Sequence, residues 1–278
     1  MPKGQRLDLL LVEKGLFPSR EAAQAAIMDG GIIVNGEKIT KAGTSIAADA
    51  KIEVTSSWQP RKYVSRGGLK LEKALEQFGI DVDGRICLDV GASTGGFTDC
   101  LLSFGALRVY AIDVGYGQIA WSLRTDTRVV VLERVNARNL NALAIYDGKR
   151  MANLVVIDVS FISLNKILLS CLNVVDKENL DIVALIKPQF EAGKENVGKG
   201  GVVRSANKHK EILQRVLGEA EKLNLHAKGL TYSPIKGPSG NIEFLVHWKL
   251  NATCEIDVVK VVDEAHLNLS SGRGELHE

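Results

Sequence analysis

Apolar and polar positions alternate in blocks along this chain, and the block lengths separate two regions. In residues 6–55 the runs are short. Arg6 to Gly15 carries Leu7, Leu9, Leu10, Leu11 and Val12 and stops at glycine, which predicts a helix. Pro18-Ser19-Arg20-Glu21 opens a second helix with Ser19 as N-cap, Ala22, Ala23, Ala26 and Ile27 as its packing face, and Gly30-Gly31 as its end. Ile32-Ile33-Val34 and Glu37-Lys38-Ile39 flank Asn35-Gly36, a strong hairpin signal. Lys51-Ile52-Glu53-Val54 closes the unit as a strand.

From residue 67 the blocks lengthen and alternate. Gly67 to Gly79 predicts a helix with Leu71, Ala74, Leu75 and Phe78 as its apolar stripe, and Lys70 in the first turn, off that stripe. A lysine there opposes the helix dipole, which marks it for attention, although a surface lysine accounts for it as well. Strands are expected at 85–90, 107–113, 128–132, 153–158, 181–187, 225–232 and 242–249. Helices are expected from 95, near 117–123, from 163 and near 205–223. That alternation predicts an α/β fold, a mainly parallel Rossmann-like sheet with helices on both faces. The last two strands follow each other directly, so one of them runs antiparallel to the rest. The expected domains are a small α+β unit (1–55), a linker (56–66), a large α/β domain (67–250) and a C-terminal tail (251–278). The tail has weak helical periodicity over 254–267, and Ser270 to Glu278 reads as disordered.

Asp89-Val90-Gly91-Ala92-Ser93-Thr94-Gly95-Gly96-Phe97 sits between the first strand and helix of the large domain. In such a sheet that turn meets a ligand. It lacks Gly-Lys-Ser/Thr, so a triphosphate loop is disfavoured, and Gly91-x-Ser93-x-x-Gly96 is a degraded dinucleotide fingerprint. An acid before the first glycine fits S-adenosylmethionine, whose methionine end carries an ammonium and a sulfonium. Asp113 ends the next strand, 24 residues after Asp89, where a carboxylate accepts hydrogen bonds from both ribose hydroxyls. An ordinary tight turn with no ligand is the competing reading. Three further charges mark strands: Asp158 after Asn153–Ile157, Lys187 before Pro188, and Glu243 interrupting the run 242–246. Pro188 keeps Lys187 extended at the strand tip. Each taken alone reads equally as a solvated strand end or a structural ion pair.

Composition narrows this only slightly. The chain has 278 residues, 45% hydrophobic, with formal net charge +2. No run reaches the ~18 apolar residues of a membrane span, and Met1 to Arg6 lacks the apolar region of a signal peptide. A cytoplasmic protein is expected. The four cysteines (87, 100, 171, 254) and five histidines show no ligand spacing, so no metal is expected. Residues 1–66 hold ten Lys/Arg against seven Asp/Glu.

Two resemblances join these pieces. Residues 6–55, through Arg6-Leu7-Asp8, Ser19-Arg20-Glu21-Ala22, the double glycine and Val34-Asn35-Gly36, resemble the S-four-type RNA-binding domain. The resemblance implies a cationic face for structured RNA, with Arg6, Arg20, Lys38 and Lys41 as candidates and Arg66 beyond them; a solvated basic face is the alternative. The order Lys70, Asp158, Lys187, Glu243 resembles the FtsJ-like ribose 2′-O-methyltransferases. Together with Ser65-Arg66-Gly67-Gly68-Leu69-Lys70, Asp158 to Leu164, Ile186 to Glu191 and Gly240 to Phe244, it is similar to the TlyA family, also catalogued as haemolysins.

That resemblance implies methyl transfer to a ribose 2′-hydroxyl of a cytidine in 16S rRNA, 23S rRNA or both, with S-adenosylmethionine as cofactor. It implies Lys187 as the residue guiding the proton, after its amine is brought to the neutral form by desolvation or neighbouring cations, and Lys70, Asp158 and Glu243 as its companions. The backbone of Gly91, Ser93, Gly95, Gly96 and Phe97 would cradle the methionine half. Asp113 would hold the ribose and Asn136 the adenine edge. The expected partners are ribosomal RNA or subunits, with no membrane, and the protein a monomer or weak oligomer. Residues 191–204 read as a substrate lid or a plain flexible connection, and the linker aromatics Trp58 and Tyr63 as docking or base-stacking groups. Three rivals remain: a non-catalytic RNA-binding or assembly protein, a pore-forming haemolysin, and an NAD-dependent oxidoreductase, which the glycine spacing disfavours.

Overall fold

The computed structural model describes residues 4–56, 62–193, 197–198, 200–251 and 254–270. The expectations for Trp58 and for 271–278 lie outside the described residues. The chain divides into two compact units, Met1–Lys62 and Tyr63–Glu278.

The first unit begins with β1 (Gln5–Arg6) and α1 (Leu7–Glu13), followed by α2 (Arg20–Met28). Ser19 caps α2 as its composition requires, accepting from the Ala22 amide at 3.2 Å. The hairpin β2 (Ile32–Val34) and β3 (Glu37–Ile39) turns at Asn35-Gly36, both at positive φ. β4 (Ser45–Ile46), which the apolar pattern does not announce, pairs with β1, and β5 (Ile52–Val54) pairs with β2. Leu7, Leu11, Phe17, Ala23, Ala26, Ile27, Ile32 and Val34 form the core between helices and hairpin.

The second unit opens with α3 (Gly67–Phe78), then alternates: β6 (Ile86–Val90), α4 (Gly96–Ser103), β7 (Arg108–Asp113), α5 (Trp121–Arg124), β8 (Val129–Glu133). A 3₁₀ turn at Ala137–Asn139 and α6 (Ala142–Tyr146) follow, both unexpected from the sequence. Then come β9 (Leu154–Ile157), α7 (Asn165–Leu172), β10 (Asp181–Ile186), α8 (Pro188–Glu191), α9 (Ala206–Glu221), β11 (Leu225–Tyr232), β12 (Phe244–Leu250) and α10 (Val258–Ser270). The described strands form one seven-stranded sheet in the order β11-β12-β10-β9-β6-β7-β8. Of the seven, β12 alone runs opposite to the other six. Period-two alternation splits the strand side chains between two cores. Leu88, Val90, Val155 and Ile157 face α7, α9 and α10, whereas Cys87, Leu154 and Val156 face α3, α4 and α5.

The chain reverses its direction of travel across the sheet at β6 and β9, which are adjacent. Their carboxyl ends are the switch point where ligands settle in doubly wound sheets. Tyr63 is buried against Gly68 in the core of its own unit, which settles the linker tyrosine as a docking group.

Candidate active site

Three strand ends bring the marked charges together. Val90 pairs with Ile157, and Ile157 with Ala184, so Gly91, Asp158 and the end of β10 share one edge. Ile186 pairs antiparallel with Phe244, which sets Lys187 and Glu243 at that same edge. Asp158 and Lys187 stand one residue beyond their strands, and Glu243 one residue before β12 rather than inside it. The ladder stops where a buried charge needs a side-chain partner instead of a pleat position.

Lys187 is extended (φ −105°, ψ 102°) ahead of Pro188. Its Nζ lies 2.6 Å from Asp158 Oδ1 and donates to Ser160 Oγ at 2.9 Å. Lys70 corrects its expected surface position. It stands one helical turn before Ala74, hence on the packed side of α3, and is 7% exposed. Its Nζ meets the buried Glu243 carboxylate at 2.5 Å. The edge therefore holds two lysine–carboxylate pairs, one buried and one partly open.

The glycine turn lies alongside. Gly91 is at φ +89°, and a Cβ there would stand 2.6 Å from the Asp158 carbonyl oxygen, so only glycine admits this approach of β6 to β9. Gly96 begins α4 against the 65–68 segment, where a Cβ would meet Ser65 Oγ at 2.2 Å. Gly95 caps α4, and the amides that follow point into the turn. The Phe97 side chain is buried in the core, so this residue offers the site only its backbone.

Asp89 points to the α4 side of the sheet and is fully buried. Thr98 Oγ1 donates to its Oδ2 at 2.6 Å, while Oδ1 has no hydrogen-bond partner among the described residues. Burial, reinforced by Asp158 and Asp113 and opposed by Thr98, pushes its carboxyl up to about 7. A buried acid in that condition accommodates a cation. Asp113 is oriented by two amides, Ser93 N–H to Oδ2 (2.8 Å) and Gly115 N–H to Oδ1 (2.6 Å). Its remaining lone pairs are open to a diol. Ser93 stands at φ +50°, which turns its amide onto Asp113. The Asn136 region is drawn to the same place by the bond from Val135 N–H to Asp113 O (3.0 Å). Asn136 itself is exposed, and its oxygen caps the 3₁₀ turn through Arg138 N–H. Its amide nitrogen is what remains for a base edge. The donor set thus suits a ligand with an ammonium, a ribose and a base. The orphaned Asp89 oxygen and the glycine-only cradle are the two features that fit S-adenosylmethionine most directly.

Several further groups belong to this edge with little sequence signal of their own. Ser160 holds Lys187. Thr98 holds Asp89. Glu191, buried, accepts from Ser163 Oγ and the Leu164 amide, both at 2.8 Å, and so locks the loop after Asp158 to α8. Phe161 is 89% exposed at φ +64°, its ring centroid 4.9 Å from that of Phe190. An aromatic in this strained region is uncommon and signals a site. Its one sequence cue was a phenylalanine three residues past a strand-end carboxylate. The described part of 191–204 is tied down, with Gly201 N–H bonded to Gly198 O and Val203 N–H to Asn241 Oδ1 (both 3.0 Å).

In the first unit, Asp8 is fully buried. It accepts from Arg6 (3.0 and 2.8 Å), Arg20 Nε (2.9 Å) and Gln24 (2.7 Å). The Arg6 hydrogen bonds lead the groups that hold its carboxyl well below the usual range. Arg6 and Arg20 are therefore fixed side by side, half-exposed, with one anion between two cations. The Lys38 stem lies over Gly30, where a Cβ would stand 2.0 Å from Cε. Lys41 is exposed in the loop after β3, and its carbonyl accepts from Thr44. Arg66 belongs to the second unit, where it donates to the Lys236 carbonyl at 3.4 Å.

Comparison with known proteins agrees across both units. The model of the FtsJ-like methyltransferase family matches residues 63–250, and that of the S4 domain matches 5–52. The 16S/23S rRNA (cytidine-2′-O)-methyltransferase TlyA of Mycobacterium tuberculosis is 44% identical, covering 98% of this chain and 100% of its own. Hemolysin A of Brachyspira hyodysenteriae is 46% identical over 87% of this chain and 99% of its own. A solved structure from Streptococcus thermophilus superposes with a TM-score of 0.76 at 41% identity, covering 99% of this chain and 100% of that one. The chain belongs to the FtsJ-like methyltransferase family, in the group that joins an N-terminal S4 domain to the methyltransferase fold and includes the TlyA proteins.

Proposed function

We propose that this protein transfers a methyl group from S-adenosylmethionine to the ribose 2′-oxygen of a cytidine in ribosomal RNA. The observation that carries the reading is the Lys187–Asp158 pair, 2.6 Å apart at the switch point and one residue from the Gly91 cradle. The names of the full-length relatives supply the substrate class and the base.

When bound, S-adenosylmethionine supplies a methyl carbon on a sulfonium, open to in-line displacement. The chain's residues do the rest. Lys187, fixed by Asp158 and Ser160, donates to the attacking ribose oxygen and sets its approach. The carboxylate of Asp158 lies where the departing hydroxyl proton can be received directly or through Lys187. The cofactor held by Asp89 and Asp113 would supply that methyl to the ribose oxygen, with its sulfur as the neutral leaving group. Asp89 faces the ammonium end, Asp113 the ribose, and Asn136 the base. Lys70 and Glu243, mutually neutralising, shape the edge beside Lys187. Much of the acceleration comes from holding oxygen and carbon in line. Phe161 offers an open ring face on which a base can stack, worth ~1–3 kcal/mol. Arg6, Arg20, Lys38 and Lys41 track phosphates, and Arg66 does so from the methyltransferase unit.

The test uses S-adenosylmethionine with a labelled methyl group. The protein is incubated separately with small subunits, large subunits and deproteinised rRNA, and 2′-O-methyl nucleotides are mapped. Label in one defined cytidine is the expected result. Label in no sample, with the cofactor bound, would sink the rRNA assignment, and absence of cofactor binding would favour the non-catalytic RNA-binding reading. The haemolysin name finds no support in the helices: none among the described residues is long and apolar enough to cross a membrane.

A further inference from the structure

The histidines of α9 and α10 stand outside the reaction centre, yet a set of hydrogen bonds runs from them to Asn241, two residues before Glu243. His209 on α9 is fully buried. Its Nε2 lies 3.1 Å from the Val203 carbonyl oxygen. A carbonyl only accepts, so this nitrogen carries the hydrogen. A neutral ring is then bare at Nδ1, which faces His266 Nε2 on α10 at 2.9 Å. His266 must therefore be the donor. Burial, followed by the proximity of His266, brings His209 down to about 4, so it is neutral at physiological pH. His266 is also lowered, by burial first. Asp263 acts the other way, and Lys210 and Lys236 act with burial. Both tautomers are fixed by their surroundings.

The bonds continue from Val203. Its amide donates to Asn241 Oδ1 at 3.0 Å, and Asn241 Nδ2 returns a bond to the Gly201 carbonyl at 2.9 Å. Asn241 is buried, and its own carbonyl accepts from Gly237 N–H at 2.9 Å. Two residues later Glu243 meets Lys70. The backbone of Glu243 is pinned as well, by the Ser233 amide at 2.8 Å.

We propose that α10 is a working part of the reaction centre, with His266 and His209 as positioning residues. Through Val203 they fix the 201–203 segment, and through Asn241 that segment sets where Glu243 receives Lys70. Asn241 is the third member of this set. The remaining contacts of α10 do not depend on the imidazole. Val258, Val262, Ala265 and Leu269 are buried against the sheet, Lys210 pairs with Asp263 at 2.7 Å, and Asn268 donates to the Tyr232 hydroxyl at 2.8 Å. Loss of the ring therefore leaves the helix docked and isolates the effect of the donor. The proposal rests on the reading of Lys70 and Glu243 as members of the methyl-transfer site.

Full-length His266→Leu and His266→Gln test it together. The glutamine amide places a donor where Nε2 stood; leucine fills the space without one. For His266→Leu, kcat falls roughly tenfold, as when a catalytic group drifts by a fraction of an ångström. KM for S-adenosylmethionine is unchanged, and amide exchange at Val203 accelerates. His266→Gln restores both kcat and exchange. Asn241→Ala, entered from the other end, gives the same loss of kcat with α10 undisturbed. Wild-type kcat and exchange in His266→Leu would overturn the proposal, as would glutamine and leucine variants that are equally impaired, since bulk rather than the hydrogen bond would then matter. If the wild-type protein methylates no RNA, the methyl-transfer reading fails, and the exchange measurements still decide the coupling.

Discussion

The two ends of the large sheet each hold a cluster of buried charges, and they treat their carboxylates in opposite ways. At the amino ends of the parallel strands, Asp181 accepts from Arg85 Nη1 at 2.7 Å, His247 Nε2 at 2.7 Å and, as an ion pair, Lys249 at 3.2 Å. Arg85 also donates to Asn153 Oδ1 (3.1 Å) and the Asn179 carbonyl (3.0 Å), and the Phe78 ring stacks on His247. Burial alone would raise Asp181, but the His247 and Arg85 hydrogen bonds bring it down to about 2. At the carboxyl ends, Asp89 is fully buried with Thr98 as its neutral donor residue, two anionic neighbours and one oxygen that has no hydrogen-bond partner among the described residues, and it stands at about 7. A saturated network of this kind is fixed and stabilising once formed. An incomplete one costs free energy and leaves capacity for a ligand. Burial and charge alone do not separate these two carboxylates; the hydrogen-bonding capacity left at Asp89 does.

The largest separation between the two ends comes from removing one lysine. Lys187→Ala lowers methyl transfer at least ~100-fold, within the usual range for a positioned proton-handling group, while calorimetric S-adenosylmethionine affinity holds. A variant turning over at the wild-type rate would remove Lys187 from the reaction. At the other end, Arg85→Leu removes the Nη1 hydrogen bond and the charge that Arg85 gives the buried Asp181. A loss of about 3–5 kcal/mol in urea unfolding is expected, with the cofactor affinity of the remaining folded protein unchanged. The Asp181 contribution is present above the unfolded carboxylate value and disappears as pH falls toward 2, so the variant and wild type converge in strong acid.

These two ends were not equally legible in the sequence. The carboxyl end announced itself, because Asp158, Lys187 and the glycines of 91–96 fall where an apolar strand pattern stops, and topology then gathers such stops at one edge. Lys70 was visible but misplaced: a charge on a helix reads as exposed until its partner, 173 residues away, is known. The Asp181 network was invisible for the same reason, since Arg85, Asp181 and His247 belong to three separate strand ends or interiors. The longer elements followed from apolar period, whereas β1, β4, α6, α8 and the 3₁₀ turn are too short to carry one. The role of α10 was hidden because histidine tautomers and a buried asparagine leave no periodic mark. The cations expected to face RNA were chosen by type, and only the structure shows Arg6 and Arg20 organised around Asp8.

A smaller change at the carboxyl end tests the cradle rather than the charge. Gly91→Ala forces a side chain into a left-handed backbone, a strain of ~1–2 kcal/mol, and sets its Cβ 2.6 Å from the Asp158 carbonyl. Cofactor affinity falls by more than about tenfold with Arg85 and Asp181 untouched, which isothermal titration reads directly. Unchanged affinity would mean that β6 and β9 separate without consequence and that the turn does not cradle the methionine half.

The mildest prediction concerns Asp89 itself. With its folded-state carboxyl at about 7, raised above the unfolded value, the free protein favours the protonated form below neutrality. Its native state therefore loses stability as pH rises from the usual carboxylate range through 7. A cationic ligand requires the ionised form, so binding releases a proton at low pH and tightens as pH rises, levelling above 7. S-Adenosylmethionine affinity is expected to be about tenfold weaker at pH 6 than at pH 8. Asp89→Asn should bind more weakly throughout and lose this slope. The cofactor's own amino group also titrates near neutrality, but it does so equally for both proteins, so the difference between their pH profiles isolates Asp89. Parallel profiles would show that the buried oxygen does not face the cofactor's cation, and that the contrast between the two ends of the sheet is one of packing rather than of function.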